Sequence, residues 1–186
     1  MMPSSALARS ATAKRHAIMS AQQIDRAISR MAYQIVEPED VQGGVLLIGI
    51  RSGGENLASR LGQKIAEITG KQPHLGFLNI NLYRDDDVAR ELPESEIRDE
   101  ITGKIVVIVD DVLYTGRTIR SALDAVTDLG RPSAIRLAVL IDRGLRELPI
   151  QADYVGRFVP TSRREHVDVI LGSSFSQSDE VALLSD

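Results

Sequence analysis

Short apolar runs alternate with stripes of apolar residues at helical spacing along most of this chain of 186 residues. Residues 104–109 form the strongest run, and further runs cover residues 45–50 and 134–141. A continuous apolar run between turn residues is typical of a strand that is buried on both faces. Strands that alternate with helices pair in parallel, and the helices then cover both faces of the sheet. The chain is therefore predicted to be α/β, with a mainly parallel central sheet flanked by helices.

Three helices are predicted around these strands. The first begins at Ser20, which forms a capping box with Gln23, and it ends before Pro38. The second and third helices cover roughly residues 57–68 and 119–129. Each of them is followed by a glycine and then by a proline, which is the usual sequence of a helix end.

An acidic excursion interrupts this alternation. Residues 78–82 alternate apolar and polar side chains, which predicts a half-buried strand. Residues 84–100 then contain eight acids and one proline and have no periodicity. A structureless segment of this length is uncommon in a compact domain unless it has a role. We therefore predict an exposed, mobile segment with a functional role.

Composition excludes several kinds of site. The chain has no cysteine, and its three histidines occur at unrelated spacings. Disulfides, thiolate zinc sites and cysteine nucleophiles are therefore excluded, and a histidine metal site is not expected. The apolar runs are far shorter than the roughly 20 residues of a membrane helix, so no membrane partner is expected. A net charge of −4 argues against general binding of nucleic acid.

The N-terminal segment differs from the rest of the chain in charge. No acid precedes Asp25, whereas three basic residues do. The segment has neither the apolar region of a secretory signal nor an amphipathic stripe. We interpret residues 1–19 as a disordered basic tail on a cytoplasmic protein, and residues 20–180 as a single domain.

The end of the strongest strand carries the clearest chemical signal. Asp110 and Asp111 follow it directly, and a Thr-Gly-Arg-Thr turn at residues 115–118 precedes the third helix. Free N–H groups at a helix N-terminus bind phosphate, whereas two carboxylates repel it. A sugar phosphate satisfies both groups, because carboxylates accept hydrogen bonds from vicinal hydroxyls or hold a hydrated magnesium ion. In open parallel sheets, ligands bind at this carboxyl edge.

Several segments together resemble the PyrR family of bacterial pyrimidine-operon attenuation regulators and uracil phosphoribosyltransferases. Residues 106–118, VVIVDDVLYTGRT, are similar to the phosphoribosyl-pyrophosphate (PRPP) motif of type I phosphoribosyltransferases. The more specific segments are LYRDD at 82–86, LAVLIDR at 137–143, RELPI at 146–150 and PTS at 160–162. The resemblance covers roughly residues 24–169. It implies the type I phosphoribosyltransferase fold, with a mobile lid hairpin and a C-terminal hood over the base.

The resemblance implies a role for each part of the site. Asp110 and Asp111 would hold the ribose hydroxyls of PRPP and a Mg²⁺ ion, and together with Arg51 and Arg84 they would be the catalytic residues. The 5-phosphate would lie on Thr115, Gly116, Arg117 and Thr118. The diphosphate would lie on Arg51, Ser52 and Gly53. The other expected substrate contacts are Val112, Leu113 and Tyr114, and Val159 and Pro160 in the hood.

One position of the diphosphate loop departs from the family. Relatives often carry a basic residue where Gly53 stands in this chain. The diphosphate is therefore expected to depend more on backbone N–H groups and on Arg51.

RNA binding is also implied by the resemblance. The family binds the leader of pyrimidine-operon mRNA, more tightly when UMP or UTP is bound. Tyr33 stands where histidine is common and Gln151 where arginine is common, so two cations that would contact phosphate are missing. Tyr33 can still stack on an exposed base. The positions expected to face RNA are Ser29, Arg30, Arg146 and Arg157.

Other functions remain open at this stage. The chain could be an RNA-binding nucleotide sensor with little catalysis, or a phosphoribosyltransferase for another base, because its side chains alone do not distinguish uracil from a purine. A Walker-type phosphate loop is excluded because its motif is absent. A phospho-receiver domain is discounted because the acid pair of such domains belongs to the first strand, whereas the pair in this chain follows a later strand. We expect PRPP, uracil and UMP or UTP as ligands, and a homo-oligomer, dimeric or larger.

Overall fold

A computed structural model describes residues 14–38, 44–83 and 92–185 of the chain. Its elements are β1 (Lys14–Ser20), α1 (Ala21–Val36), β2 (Val45–Ile50), α2 (Gly54–Thr69), β3 (His74–Leu78), β4 (Ile105–Leu113), α3 (Arg117–Leu129), β5 (Ala134–Asp142), β6 (Tyr154–Phe158), β7 (His166–Ile170) and β8 (Glu180–Ser185). A short 3₁₀ turn covers Asn81–Tyr83. The predicted alternation of strands and helices is confirmed.

Five strands form the central sheet in the order β3-β2-β4-β5-β6, and every neighbouring pair is parallel. The strands β2 and β4 are buried along almost their whole length, as continuous apolar runs require. The order places β2 and β4 next to each other, so the segments that follow them lie together at the carboxyl edge of the sheet.

Two apolar layers separate the sheet from its helices. Val45, Leu47 and Val107 face one layer, into which α1 and α2 pack, whereas Leu46, Ile48 and Val106 face the other, into which α3 packs. The helix α1 begins with the predicted capping box: the Ser20 hydroxyl accepts from the Gln23 N–H, and the Gln23 side chain accepts from the Ser20 N–H.

A second, antiparallel sheet of β1, β8 and β7 covers the carboxyl edge of the first. Arg15 ties its three strands together, because the guanidinium contacts Asp168 at 2.6 Å and Glu180 at 2.5 Å. The strand β1 starts at Lys14 and β8 ends at Ser185, outside the predicted domain limits of 20 and 180. Composition cannot reveal β1, since its backbone pairs with a strand at the opposite end of the chain. Residues 1–13 of the predicted tail lie outside the described residues.

The acidic excursion is described only in part. The strand predicted at residues 78–82 forms instead at His74–Leu78, where it pairs with β2, and Leu82 is almost fully exposed. Residues 84–91, the first eight of the 17 residues of the excursion that the resemblance predicts as the lid, lie outside the described residues. The returning limb at residues 92–100 is held to β3 by an antiparallel bridge between Phe77 and Glu96. Among the described helices, none has the length and apolar content to cross a bilayer.

Candidate functional site

A cleft of about 290 Å³ opens at the carboxyl ends of β2 and β4. One wall is the loop after β2, and the other is the end of β4 with the first turn of α3. The cleft is lined by Ile50, Ser52, Gly53, Ile80, Asp110, Asp111, Val112, Thr118 and Val167. Six of the predicted substrate contacts therefore lie in one cleft: Ser52, Gly53, Asp110, Asp111, Val112 and Thr118.

The two carboxylates of the cleft are held in an environment with little water. Asp110 is buried, and burial followed by the neighbouring Asp111 raises its pKa well above the ordinary range. Burial also raises the pKa of Asp111, whose N–H donates to Oδ1 of Asp110 at 3.0 Å. Within the described part of the chain, no basic side chain pairs with either carboxylate. A buried and a half-buried carboxylate with no cationic partner among the described residues are suited to bind a cation, or to accept hydrogen bonds from hydroxyl groups.

The turn at residues 114–118, called the phosphate loop below, leads from β4 into α3. Gly116 caps the helix in the left-handed region with φ of 93°, a conformation that side chains disfavour. Thr118, in the first turn of α3, lines the cleft, and a helix N-terminus has free N–H groups that can bind an anion. The guanidinium of Arg117 lies away from the cleft lining, because its Nε donates to Glu147 at 2.9 Å. The cradle for an anion is therefore made of backbone and hydroxyl groups.

Arg51 is placed differently from its predicted role. Its guanidinium pairs with Glu55 at 2.6 Å, donates to the Glu94 carbonyl at 2.8 Å and stacks on Phe77 at 5.4 Å. These partners lie on α2, on the returning limb of the lid and on β3, so the charge does not point into the cleft. The next two residues of the same loop, Ser52 and Gly53, line the cleft. Arg84 lies outside the described residues.

The hood loop, residues 159–165, follows β6 at the same edge of the sheet. Val159 continues the parallel pairing, since its N–H donates to the Asp142 carbonyl at 2.8 Å. Val159 is half-buried and Pro160 is exposed, and neither lines the cleft between the carboxylates and the phosphate loop. From β7, Val167 does reach the cleft lining. The structure thus places residues 159–165 and Val167 at the same edge of the sheet as the cleft.

The segment between β5 and β6 is a part of the site to which the sequence assigned no nucleotide role. Arg143 and Arg146 both contact Tyr114, the first through its ring and the second through its carbonyl. Two N–H groups, of Glu147 and Leu148, donate to the Thr115 carbonyl. The only sequence signal was that both arginines belong to the LAVLIDR and RELPI segments.

The residues expected to face RNA do not all lie together. Arg30 on α1 donates to the carbonyls of Val155 and Gly156 on β6, and Arg157 on β6 is exposed and donates to the Ile18 carbonyl. Ser29 is half-buried beside Arg30. These three residues share the surface formed by α1 and the edge strand β6.

Arg146 is separate from that surface. Its guanidinium donates to Asp142, to the carbonyls of Tyr114 and Gly144, and to the Ile150 carbonyl. With all of these bonds made inside the protein, the group supports the phosphate loop instead of presenting a free cation.

Comparison with known proteins shows which families share this arrangement. The model of the phosphoribosyl transferase domain matches residues 15–171. A protein named "Bifunctional protein PyrR" from Thermoanaerobacter sp. (strain X514) is 54% identical over 158 residues, which cover 83% of this chain and 89% of that protein. A protein of the same name from Alkaliphilus metalliredigens is 51% identical over 170 residues, covering 89% of this chain and 93% of its own length.

Solved structures agree on the fold. A hypoxanthine phosphoribosyltransferase from Trypanosoma cruzi superposes with a TM-score of 0.68 at 22% identity, covering 91% of this chain and 97% of that one. A hypoxanthine-guanine phosphoribosyltransferase from Bacillus anthracis gives a TM-score of 0.67 at 21% identity, covering 92% and 98%. The predicted type I phosphoribosyltransferase architecture is confirmed, whereas these distant structures do not bear on the choice of base.

Proposed function

The chain belongs to the PyrR family of phosphoribosyltransferases, and from this premise we propose that it transfers the phosphoribosyl group of PRPP to uracil, giving UMP and diphosphate. The observation that carries the proposal is that buried Asp110, half-buried Asp111 and Thr118, in the first turn of α3, line a single cleft. A ligand that fits this cleft has a diol and a phosphoryl group a few ångströms apart. The ribose 5-phosphate part of PRPP has both.

The residues of the cleft divide the substrate between them. The carboxylates of Asp110 and Asp111 accept hydrogen bonds from the ribose hydroxyls, and the N–H groups and hydroxyls at residues 115–118 bind the 5-phosphate. The backbone of Ser52 and Gly53 faces the diphosphate. Positioning of this kind, together with stabilisation of developing charge, supplies most of the catalysis that such a transfer needs.

The donor set fits a magnesium ion. Two carboxylates without a basic partner, one of them with a strongly raised pKa, gain from a cation. Within the described residues no cluster of three or more ligating side chains exists. Mg²⁺ is usually bound by one or two carboxylates, and substrate oxygens and water complete its coordination shell. When bound, the ion supplies positive charge to the departing diphosphate. Asp110 and Asp111 are the residues that would hold it.

The transfer itself needs no protein nucleophile. The bond between C1 of the ribose and N1 of uracil forms as the bond between C1 and the diphosphate oxygen breaks, with inversion and with loss of the N1 proton. The state between them resembles an oxocarbenium ion, which water would also attack. We propose that residues 84–100 close over the cleft as a lid to exclude that water, with Arg84 contributing charge, and that Val159 and Pro160 of the hood loop receive the base.

A uracil-dependent assay tests the activity. Diphosphate release from PRPP and Mg²⁺ is measured with uracil, cytosine, hypoxanthine and guanine, and uracil alone should support turnover. Asp110→Asn should lower kcat/KM for PRPP by at least a hundredfold, while Asp124→Asn, an exposed carboxylate on α3 that pairs with Arg120, should not. Turnover with a purine and not with uracil would contradict the proposal.

The second activity of the family is regulatory, and the surface of α1 and β6 favours it. Ser29, Arg30 and Arg157 lie together there in a chain of net acidic charge, which concentrates positive charge on one face. We propose that this face binds the leader of pyrimidine-operon mRNA, that UMP or UTP in the cleft strengthens binding, and that the protein acts in the cytoplasm as a dimer or larger homo-oligomer. Titration of the leader RNA with and without UMP tests it, and equal affinities would count against regulation. RNA binding without diphosphate release would favour the nucleotide sensor.

A further inference from the structure

A buried arginine joins the hood loop to the phosphate loop. We propose that Arg143 is a positioning residue that fixes the hood loop at the base site and thereby sets the affinity for the base. The proposal rests on the proposed function, since it assigns a role within the same nucleotide site. The family resemblance assigned no role in base or phosphate binding to this residue.

The contacts of Arg143 all run to these two loops. Its side chain is almost completely buried, with the residue 4% exposed. The Nε donates to the Thr161 hydroxyl at 2.8 Å, and Nη2 donates to the carbonyls of Ser162 at 2.9 Å and Glu165 at 2.7 Å. The face of the guanidinium lies 4.2 Å from the centre of the Tyr114 ring. One side chain therefore makes three hydrogen bonds to the hood loop and one ring contact to the phosphate loop.

The environment of this cation makes the arrangement rigid. Within the described residues no carboxylate lies at ion-pair distance from the guanidinium, so its direct partners are carbonyl and hydroxyl oxygens and the ring face. The Glu165 carboxylate interacts with it at longer range, since the pKa of Glu165 is lowered by its hydrogen bonds to Ser162 and then by this charge. A buried guanidinium that lost these partners would be left poorly solvated, which is strongly unfavourable. The hood loop must therefore keep its carbonyls on Arg143. A loop of the same length without this anchor would be free to sample many positions above the cleft.

The main chain of Arg143 extends the same connection. Its N–H donates to the Leu113 carbonyl at the end of β4, and the preceding residue, Asp142, accepts from the N–H of Val159 at the start of the hood loop. The residue thus stands between the end of the strand that carries the two carboxylates and the start of the loop that faces the base. A nucleotide spans both, so the distance between its phosphate and base sites depends on this residue.

Substitution of Arg143 should change KM for uracil much more than KM for PRPP. Arg143→Gln keeps some hydrogen bonding but loses the charge and the five donors of the guanidinium. Arg143→Lys keeps the charge but cannot reach three oxygens in one plane. In both variants we expect KM for uracil to rise at least tenfold, while KM for PRPP and kcat change less than threefold. Arg164→Gln, an exposed arginine of the same loop, is the matched control and should leave all three unchanged. Methylguanidine added to Arg143→Ala should restore a part of the affinity for uracil, because it fills the vacated site.

The outcomes distinguish this role from simple support of the fold. A purely structural role would reduce the fraction of active enzyme, seen as lower kcat and a lower melting temperature with both KM values unchanged, and that result would overturn the proposal. An equal rise of both KM values would also overturn it. If the wild-type protein released no diphosphate with uracil, the proposed function would fail instead. The UMP dissociation constants of wild type and Arg143→Gln, measured by calorimetry, would then decide the role of Arg143.

Discussion

A Cβ atom on Gly53 would lie 2.6 Å from Oδ1 of Asp111, closer than real side chains approach. The loop after β2 and the carboxylates at the end of β4 are therefore in van der Waals contact, with no room for a side chain between them. Here the backbone itself closes the wall of the cleft, and Arg51, the nearest cation in sequence, is held by Glu55 and the Glu94 carbonyl.

Gly53→Ala should weaken PRPP binding by about tenfold, because the added methyl group pushes the loop away from Asp111 or displaces the carboxylate. KM for PRPP and direct calorimetric titration with Mg²⁺ and PRPP measure the effect. Gly62→Ala in α2 is the control, since its Cβ would meet only ordinary contacts at 3.7 and 3.8 Å. An unchanged KM in Gly53→Ala would show that the two walls are not as close as described.

Asp110→Asn should increase the free energy of unfolding at neutral pH in the absence of metal. Burial and Asp111 raise the pKa of Asp110 in the folded state above its unfolded value. The folded protein therefore holds this proton more tightly, and stability falls as pH rises from the unfolded pKa through the folded one. The asparagine does not ionise and escapes that loss.

Urea unfolding with a chelator, from pH 4 to pH 8, checks this prediction. The wild-type protein should lose stability relative to Asp110→Asn as the pH rises, and the variant should be the more stable at pH 7. A variant that is less stable at every pH would show that the carboxylate supports the fold. Asp124→Asn on the surface of α3 should follow the wild-type profile.

Asp179→Asn should destabilise the protein by up to about 3 kcal/mol, because it leaves the buried Arg60 with Asp25 as its remaining carboxylate partner. Arg60 and Asp179 are both 3% exposed, and their side chains meet at 2.6 Å. The same carboxylate accepts from the N–H groups of Gly172 and Ser176, so it also fixes the segment before β8.

Urea unfolding measures this loss of stability, and an exposed ion pair provides the comparison. Arg15 and Asp168 are also 2.6 Å apart, but their side chains are 38% and 42% exposed. Solvent screens such pairs, so Asp168→Asn should cost less than about 1 kcal/mol. Equal losses in the two variants would contradict the assigned difference in burial.

The parts of the site that could be predicted from sequence are those formed by neighbours in the chain. The strand β4, the pair Asp110 and Asp111 and the start of α3 follow one another within a few residues, although β4 continues to Leu113 and so contains the two carboxylates that were expected after its end. Arg51 was assigned to the diphosphate by the family resemblance, yet two of its partners, Phe77 and Glu94, lie far along the chain. No local pattern shows such a contact.

The same limit explains the two ends of the fold. The strand β1 was assigned to a disordered tail because its composition is basic and carries no apolar stripe. Its order comes from pairing with β8, and Arg15 bonds Glu180 at a separation of 165 positions. Only the fold brings these residues together, so a pattern within a short window cannot predict the strand.

Substitutions on the face of α1 and β6 should change the salt dependence of RNA binding. Each phosphate contact by an arginine releases counterions, and the logarithm of the binding constant then falls with the logarithm of salt concentration by about 0.7 to 0.9 per contact. Arg30→Gln and Arg157→Gln should each lower that slope by this amount. Tyr33→Ala should weaken binding without changing the slope, because the exposed ring, 62% accessible, contributes stacking and no charge.

Filter binding of the pyrimidine-operon leader RNA between 50 and about 300 mM salt, with UMP present, measures these slopes. Arg120→Gln on α3, on the opposite side of the central sheet, is the control and should keep the wild-type slope. Arg146→Gln should behave differently from both arginines of the face. Because its guanidinium holds the Tyr114 carbonyl, the variant should raise KM for PRPP and weaken RNA binding only through the loss of bound nucleotide. A slope reduced by Arg146→Gln with an unchanged KM would place this arginine on the RNA instead.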